Sequence, residues 1–118
     1  MKIYHYPKCS TCVKAIKFLN SRDVKFEAID ITITPPSKSE LNKMLKHYDG
    51  DIKKLFNTSG VQYRELKIAE KLKSMSAKQA VDLLATNGRL IKRPFVLTSK
   101  TGLVGFNEDE WKSYFPAQ

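Results

Sequence analysis

Cysteine is scarce in this chain: among 118 residues there are two, Cys9 and Cys12. That is too few for the disulfide framework of a small secreted domain. A zinc site needs four ligands, and only His5 and His47 remain to join the thiols, His47 far along the chain. No metal site is therefore expected. No run of about 18 apolar residues exists, which excludes a membrane-spanning helix. Met1 to Pro7 holds no long apolar stretch, so no secretory leader is expected. The five glycines are dispersed rather than gathered into a phosphate loop, so neither a nucleotide nor a flavin site is expected. Nothing repeats, no segment is of low complexity, and no block of five like charges occurs.

What is present suffices for one folded domain over residues 1–118. Hydrophobic residues make up 42% and aromatics 10%, enough for a packed core without staples. Lys and Arg number 21 against 12 acids, a net charge of +9. The lysines are spread along the whole chain, as on a soluble surface; an anionic partner is the other reading. Direct nucleic-acid binding is not expected. The reducing cytosol is the expected compartment, and a monomer the expected state.

The apolar pattern predicts the elements. Ile3 to Tyr6 is a short strand that Pro7 ends. A helix starts near Ser10 or Thr11, with Cys12, Ala15, Ile16 and Leu19 as its inner stripe. Val24 to Ile31 alternates with apolar residues on both faces, which predicts an interior strand. After Pro35-Pro36, Ser37 with Glu40 forms a capping box ahead of Leu41, Met44, Leu45 and Tyr48. Asp49-Gly50-Asp51 is a turn; Ile52 to Phe56, Tyr63 to Leu66 and Ala69 to Lys73 are short helical pieces around an Asn57–Gly60 loop. Ser76 with Gln79 caps a helix whose inner stripe is Ala80, Leu83 and Leu84, with Val81 alongside; Asn87-Gly88 stops it with a residue suited to positive φ. Pro94 to Thr98 and Leu103 to Phe106 form a hairpin, and Asn107 caps a last helix with Trp111, Tyr114 and Phe115 inside. The order β-α-β, helices, β-β-α predicts an α/β fold: a thioredoxin-like four-stranded mixed sheet from 1–36 and 88–118, with a helical insertion at 37–87.

Cys9-Ser10-Thr11-Cys12 falls where the first strand gives way to the first helix. The free N–H groups and dipole of a helix start favour an anion, so the Cys9 thiolate should form below a free thiol's range. Cys9 is then the nucleophile and Cys12, one turn inside, the resolving thiol. Lys8, Ser10 and Thr11 surround it as substrate-binding candidates, and Lys14 adds charge nearby. Arg93 is either a surface residue at a strand start or an anion clamp. Pro94 is a cis-proline candidate beside the site. His5 is read first as a strand residue and second as a general base.

The run His5-Tyr6-Pro7-Lys8-Cys9-Ser10-Thr11-Cys12, the segment Leu90-Ile91-Lys92-Arg93-Pro94-Phe95-Val96 and Val104-Gly105-Phe106-Asn107-Glu108-Asp109-Glu110 together resemble the arsenate reductase / Spx family over nearly the whole chain. The start looks most like members with a HxPxCxxC pattern. The resemblance implies a thioredoxin-like fold with a helical insertion. Cys9 falls on the catalytic cysteine of the reductases, which attacks arsenate and takes a glutathione adduct that glutaredoxin resolves. Arg93 falls on one of their oxyanion-binding arginines; Asn57 and Gly105 stand where two others would be, and Val13 replaces the arginine soon after the cysteine. Cys12 replaces a serine of those reductases, which would allow an internal disulfide without glutathione. In the Spx branch, matched by Cys9, Cys12 and the Asp49-Gly50 turn, the pair is a thiol–disulfide switch. Spx binds the C-terminal domain of the RNA polymerase α subunit, with the glycine near the contact; Gly50 also reads simply as a turn glycine. Two functions follow as expectations: a thiol-disulfide oxidoreductase resembling arsenate reductase, or a redox-sensing transcriptional regulator. No bound cofactor is expected; glutathione, glutaredoxin or thioredoxin would supply electrons. The partner would be a thiol redox protein, a small oxidised substrate or the polymerase α subunit.

Overall fold

The computed structural model describes residues 1–117, so the last residue of the expected 88–118 segment lies outside them. Strand β1 (Lys2–His5) runs into helix α1 (Ser10–Ser21) and returns as β2 (Glu27–Asp30). Helices α2 (Lys38–His47), α3 (Val61–Glu65), α4 (Ile68–Lys71) and α5 (Ala77–Thr86) follow, with 3-10 turns at Ile52–Leu55, Leu72–Ser74 and Gly88–Leu90. The chain closes with β3 (Phe95–Leu97), β4 (Gly102–Val104) and α6 (Glu108–Tyr114). The sheet order is β2-β1-β3-β4. β1 is parallel to β2 and antiparallel to β3, and β3 and β4 form the expected hairpin. This is the thioredoxin-like arrangement read from the sequence.

Neighbouring residues in a strand point to opposite faces, and that alternation divides the core. Tyr4 and Phe95, ring centroids 5.8 Å apart, face Leu41, Met44, Phe56, Leu84 and the other helices between β2 and β3. Ile3 and Val96 face Ala15, Leu19 and Trp111 of α1 and α6. Both capping boxes form, at Ser37/Glu40 and Ser76/Gln79. The Glu40 carboxylate also accepts from Tyr4 Oη at 2.8 Å, tying the start of α2 to β1.

Three expectations need correction. β2 is an edge strand, not an interior one. Val24 and Phe26 belong to one core and Ile29 and Ile31 to the other, so helices on both faces, rather than flanking strands, account for its two-sided apolar content. Tyr114 is 49% exposed; Trp111 and Phe115, one turn apart, carry the inner stripe of α6. Asn87 has φ −146°, and Gly88 is not at positive φ. Gly88 is required for space instead: a Cβ there would stand 1.8 Å from the Ile31 carbonyl oxygen. Overpacking against backbone costs about 3 kcal/mol. Gly88→Ala should lose about that much in urea unfolding; an unchanged midpoint would show that the two segments separate freely.

Candidate active site

The end of β1 delivers the chain to the cysteine motif. Cys9 N donates to Tyr6 O at 3.0 Å, closing a turn just before α1. Cys9 is the N-cap of α1, in extended backbone (φ −92°, ψ 118°). Its sulfur accepts the Cys12 N–H at 3.4 Å. Caps usually carry oxygen; here the candidate nucleophile takes that place at the positive end of a 12-residue helix whose first turn holds no acid. Both thiols are free; Cys9 is half-buried and Cys12 fully buried.

The surroundings push the two thiols apart. Burial raises Cys9, but the Cys12 and Thr11 backbone N–H groups, the Cys12 thiol and the Arg93 charge together outweigh it and hold Cys9 below the ordinary thiol value. Burial pushes Cys12 up to about 12, and the neighbouring Cys9 sulfur adds to the effect. One sulfur thus ionises readily while the other keeps its proton.

Arg93 stands beside this pair. Its guanidinium lies 5.1 Å from the Tyr6 ring centroid, and its charge favours the thiolate form of both cysteines. The Arg93–Pro94 peptide bond is cis. The segment before it is held against the helical region: Lys92 N donates to Leu55 O at 2.8 Å and Asn57 N to Leu90 O at 2.8 Å.

Cys9, Thr11 and Arg93 open together onto a cleft of about 810 Å³. The Asn57–Val61 loop, Tyr48, Lys54, Lys92, Val104 to Asn107 and Glu110 complete its lining. Lys8 and Ser10 are exposed and do not line it. His5 ends β1 opposite Asp30 and is also off the cleft. His47 lies under β4, where a Cβ on Gly102 would meet its ring at 2.9 Å. Among the described residues no three His, Cys, Asp or Glu side chains gather as metal ligands. Gly50, at φ +82°, lines a separate shallow groove with Leu45, Lys46 and Asp49.

Lys54 and Lys92 are cleft residues that the sequence reading missed. Nothing in the local pattern marks them, because the wall is assembled from segments some forty residues apart. Asn57 and Gly105, the positions where the resemblance implies arginines, do line this cleft. A Cβ on Gly105 would lie 2.8 Å from Lys92 Cε, so the missing side chain leaves room that the Lys92 stem occupies. The cleft keeps three cations, Lys54, Lys92 and Arg93, against one acid, Glu110.

The family model described as ArsC family matches residues 4–114. The chain is 45% identical over 112 residues to the protein named Uncharacterized protein YusI of Bacillus subtilis strain 168, covering 95% of each. It is 31% identical to the Global transcriptional regulator Spx of Streptococcus mutans, covering 93% of this chain and 79% of that one. Among solved structures, a possible arsenate reductase from Streptococcus mutans UA159 superposes with a TM-score of 0.85 at 37% identity, covering 94% of this chain and 96% of that chain.

Proposed function

The chain belongs to the ArsC family, and from that premise we propose that it is a cytoplasmic thiol-disulfide oxidoreductase with Cys9 as nucleophile and Cys12 as resolving thiol. One observation carries the reading: the Cys9 sulfur caps α1 and ionises below the ordinary range, while the adjacent Cys12 thiol is held protonated up to about 12. The Cys9 thiolate attacks one sulfur of a substrate disulfide, forming a mixed disulfide and expelling the other half as a thiolate. That conversion removes the charge beside Cys12. Cys12 then gives its proton to solvent and attacks the Cys9 sulfur. The second substrate thiolate leaves, and a Cys9–Cys12 disulfide remains. The substrate gains two electrons and the pair loses two; glutathione, glutaredoxin or thioredoxin returns them. Arg93, Lys92 and Lys54 favour a substrate with negative charge near its sulfur.

The test is to equilibrate the reduced protein in glutathione redox buffers, quench with acid and weigh the products. An internal disulfide that titrates with buffer potential is expected. A Cys9–glutathione adduct without any internal disulfide would remove the resolving role from Cys12. Arsenate turnover in the same preparation separates the arsenate reductases' chemistry from general disulfide exchange.

A second reading has its own support. The chain is 31% identical to Spx, and Gly50 sits at the rim of an exposed groove with nothing within 4 Å of where a Cβ would be. On that reading the same cysteine pair is a switch, and the groove contacts the RNA polymerase α subunit. Capture of the polymerase α C-terminal domain by wild type, lost in Gly50→Arg, would favour it.

A further inference from the structure

Tyr6 joins two parts of the site that come from opposite ends of the chain. Pro7 disfavours helical backbone at the residue before it, so Tyr6 carries on the extended course of β1. Alternation then turns its side chain to the face that Tyr4 occupies, and the Tyr6 ring packs against the same core as Tyr4. Its carbonyl oxygen accepts the Cys9 N–H at 3.0 Å. The start of the cysteine motif is thereby fixed relative to a ring anchored in the core.

Arg93 reaches the same place from the segment entering β3. Its guanidinium carbon lies 5.1 Å from the Tyr6 ring centroid, within the range of an attractive cation–π contact. Little else holds this side chain. The ion pairs among the described residues are Lys2–Glu40 and Lys38–Asp82, so Arg93 has no carboxylate partner. Arg93 Nη1 is buried and has no hydrogen-bond partner among the described residues. An unheld arginine samples many rotamers, and a charge spread over many positions does little for a thiolate at one of them. A guanidinium laid on a packed ring stays where its charge acts on Cys9, and Cys9 does respond to that charge.

We propose that Tyr6 is a positioning residue: its ring holds the Arg93 guanidinium beside Cys9 and so keeps the nucleophile in its reactive form. The ring face does this work, and the hydroxyl is dispensable to it. The role belongs to the thiol-disulfide reading, yet alkylation of Cys9 reports on it without turnover or an internal disulfide. If no disulfide forms, that reading fails while the hold of Tyr6 on Arg93 is still measured.

The experiment is alkylation of the reduced protein against pH, with Cys9 followed by peptide mass. Tyr6→Leu should raise the Cys9 midpoint by about 0.5 pH unit, roughly a threefold loss of thiolate below the midpoint. Tyr6→Phe keeps the ring and should stay within about 0.2 pH unit of wild type. Arg93→Ala should raise the midpoint at least as far as Tyr6→Leu. Tyr6→Leu added to Arg93→Ala should raise it no further, because a residue that acts through another then has nothing to act through. Additive shifts, or an unmoved midpoint in Tyr6→Leu, would overturn the role. Turnover that Tyr6→Leu loses below its midpoint should return above it; a loss that persists there would overturn the role in favour of a packing defect. Should Tyr6→Leu fail to fold, wild type and Tyr6→Phe decide by proton NMR. Upfield ring-current displacement of the Arg93 Hδ protons is expected in both, and random-coil positions would overturn the contact.

Discussion

Cys9→Ser is expected to cut thiol-disulfide turnover by about a thousandfold or more, the scale seen when a nucleophile is removed, while leaving the fold intact. The second half of that expectation follows from the cap. Serine is a preferred N-cap residue, so its hydroxyl can take the Cys12 N–H that the Cys9 sulfur now accepts. Cys12→Ser should behave differently: attack persists, but the mixed disulfide accumulates after one turnover because no thiol is left to resolve it. Alkylation against pH reads the same asymmetry. Burial works against the Cys9 thiolate, and the N–H groups, the Cys12 thiol and Arg93 overcome it, so half-maximal alkylation should fall below 9.0. Cys12 should react only as pH approaches about 12. Arg93→Ala removes a charge that favours the thiolate and should move the Cys9 midpoint upward. Identical profiles for the two thiols would remove the basis for assigning them different roles.

Much of this arrangement was legible because its signals are local. The capping boxes at Ser37/Glu40 and Ser76/Gln79, the Asn107 cap and the cysteine pair at a strand-to-helix junction are short patterns whose partners lie three residues apart. Where partners lie far apart, the sequence was ambiguous. The two-sided apolar run at Val24–Ile31 fits an interior strand and an edge strand sandwiched between helices equally well, and only the pairing of β1 with both β2 and β3 decides. Gly88 reads as a helix-stop glycine; its role is close approach to Ile31, 57 residues earlier. The same limit hid half the cleft. Cys9, Thr11 and Arg93 were named from motifs, whereas Lys54 and Lys92 reach the site because Leu55, Asn57, Leu90 and Lys92 exchange backbone hydrogen bonds across the fold.

Trp111→Ala should be the most damaging core substitution, at about 3–5 kcal/mol, or roughly 12–20 °C in Tm at about 4 °C per kcal/mol for a domain of this size. The indole is fully buried and packs against three rings: Phe106 at 4.9 Å, Phe115 at 5.9 Å and Phe18 at 6.2 Å between centroids. Trp111→Phe should cost far less, about 1 kcal/mol. It keeps a ring in the cluster and removes Nε1, which is buried without a hydrogen-bond partner. Thermal melts of the two variants check the contrast, and equal losses would mean that the cluster does not depend on aromatic packing. The consequence for the site is specific. Asn107 and Glu110, at the start of α6, line the cleft, so loosening α6 disturbs that lining. Cys9, Cys12 and Arg93 belong to the β1–α1 junction and to the segment entering β3. Below its transition Trp111→Ala should therefore keep the low alkylation midpoint of Cys9 while binding its substrate less tightly, a rise in KM without loss of the thiolate.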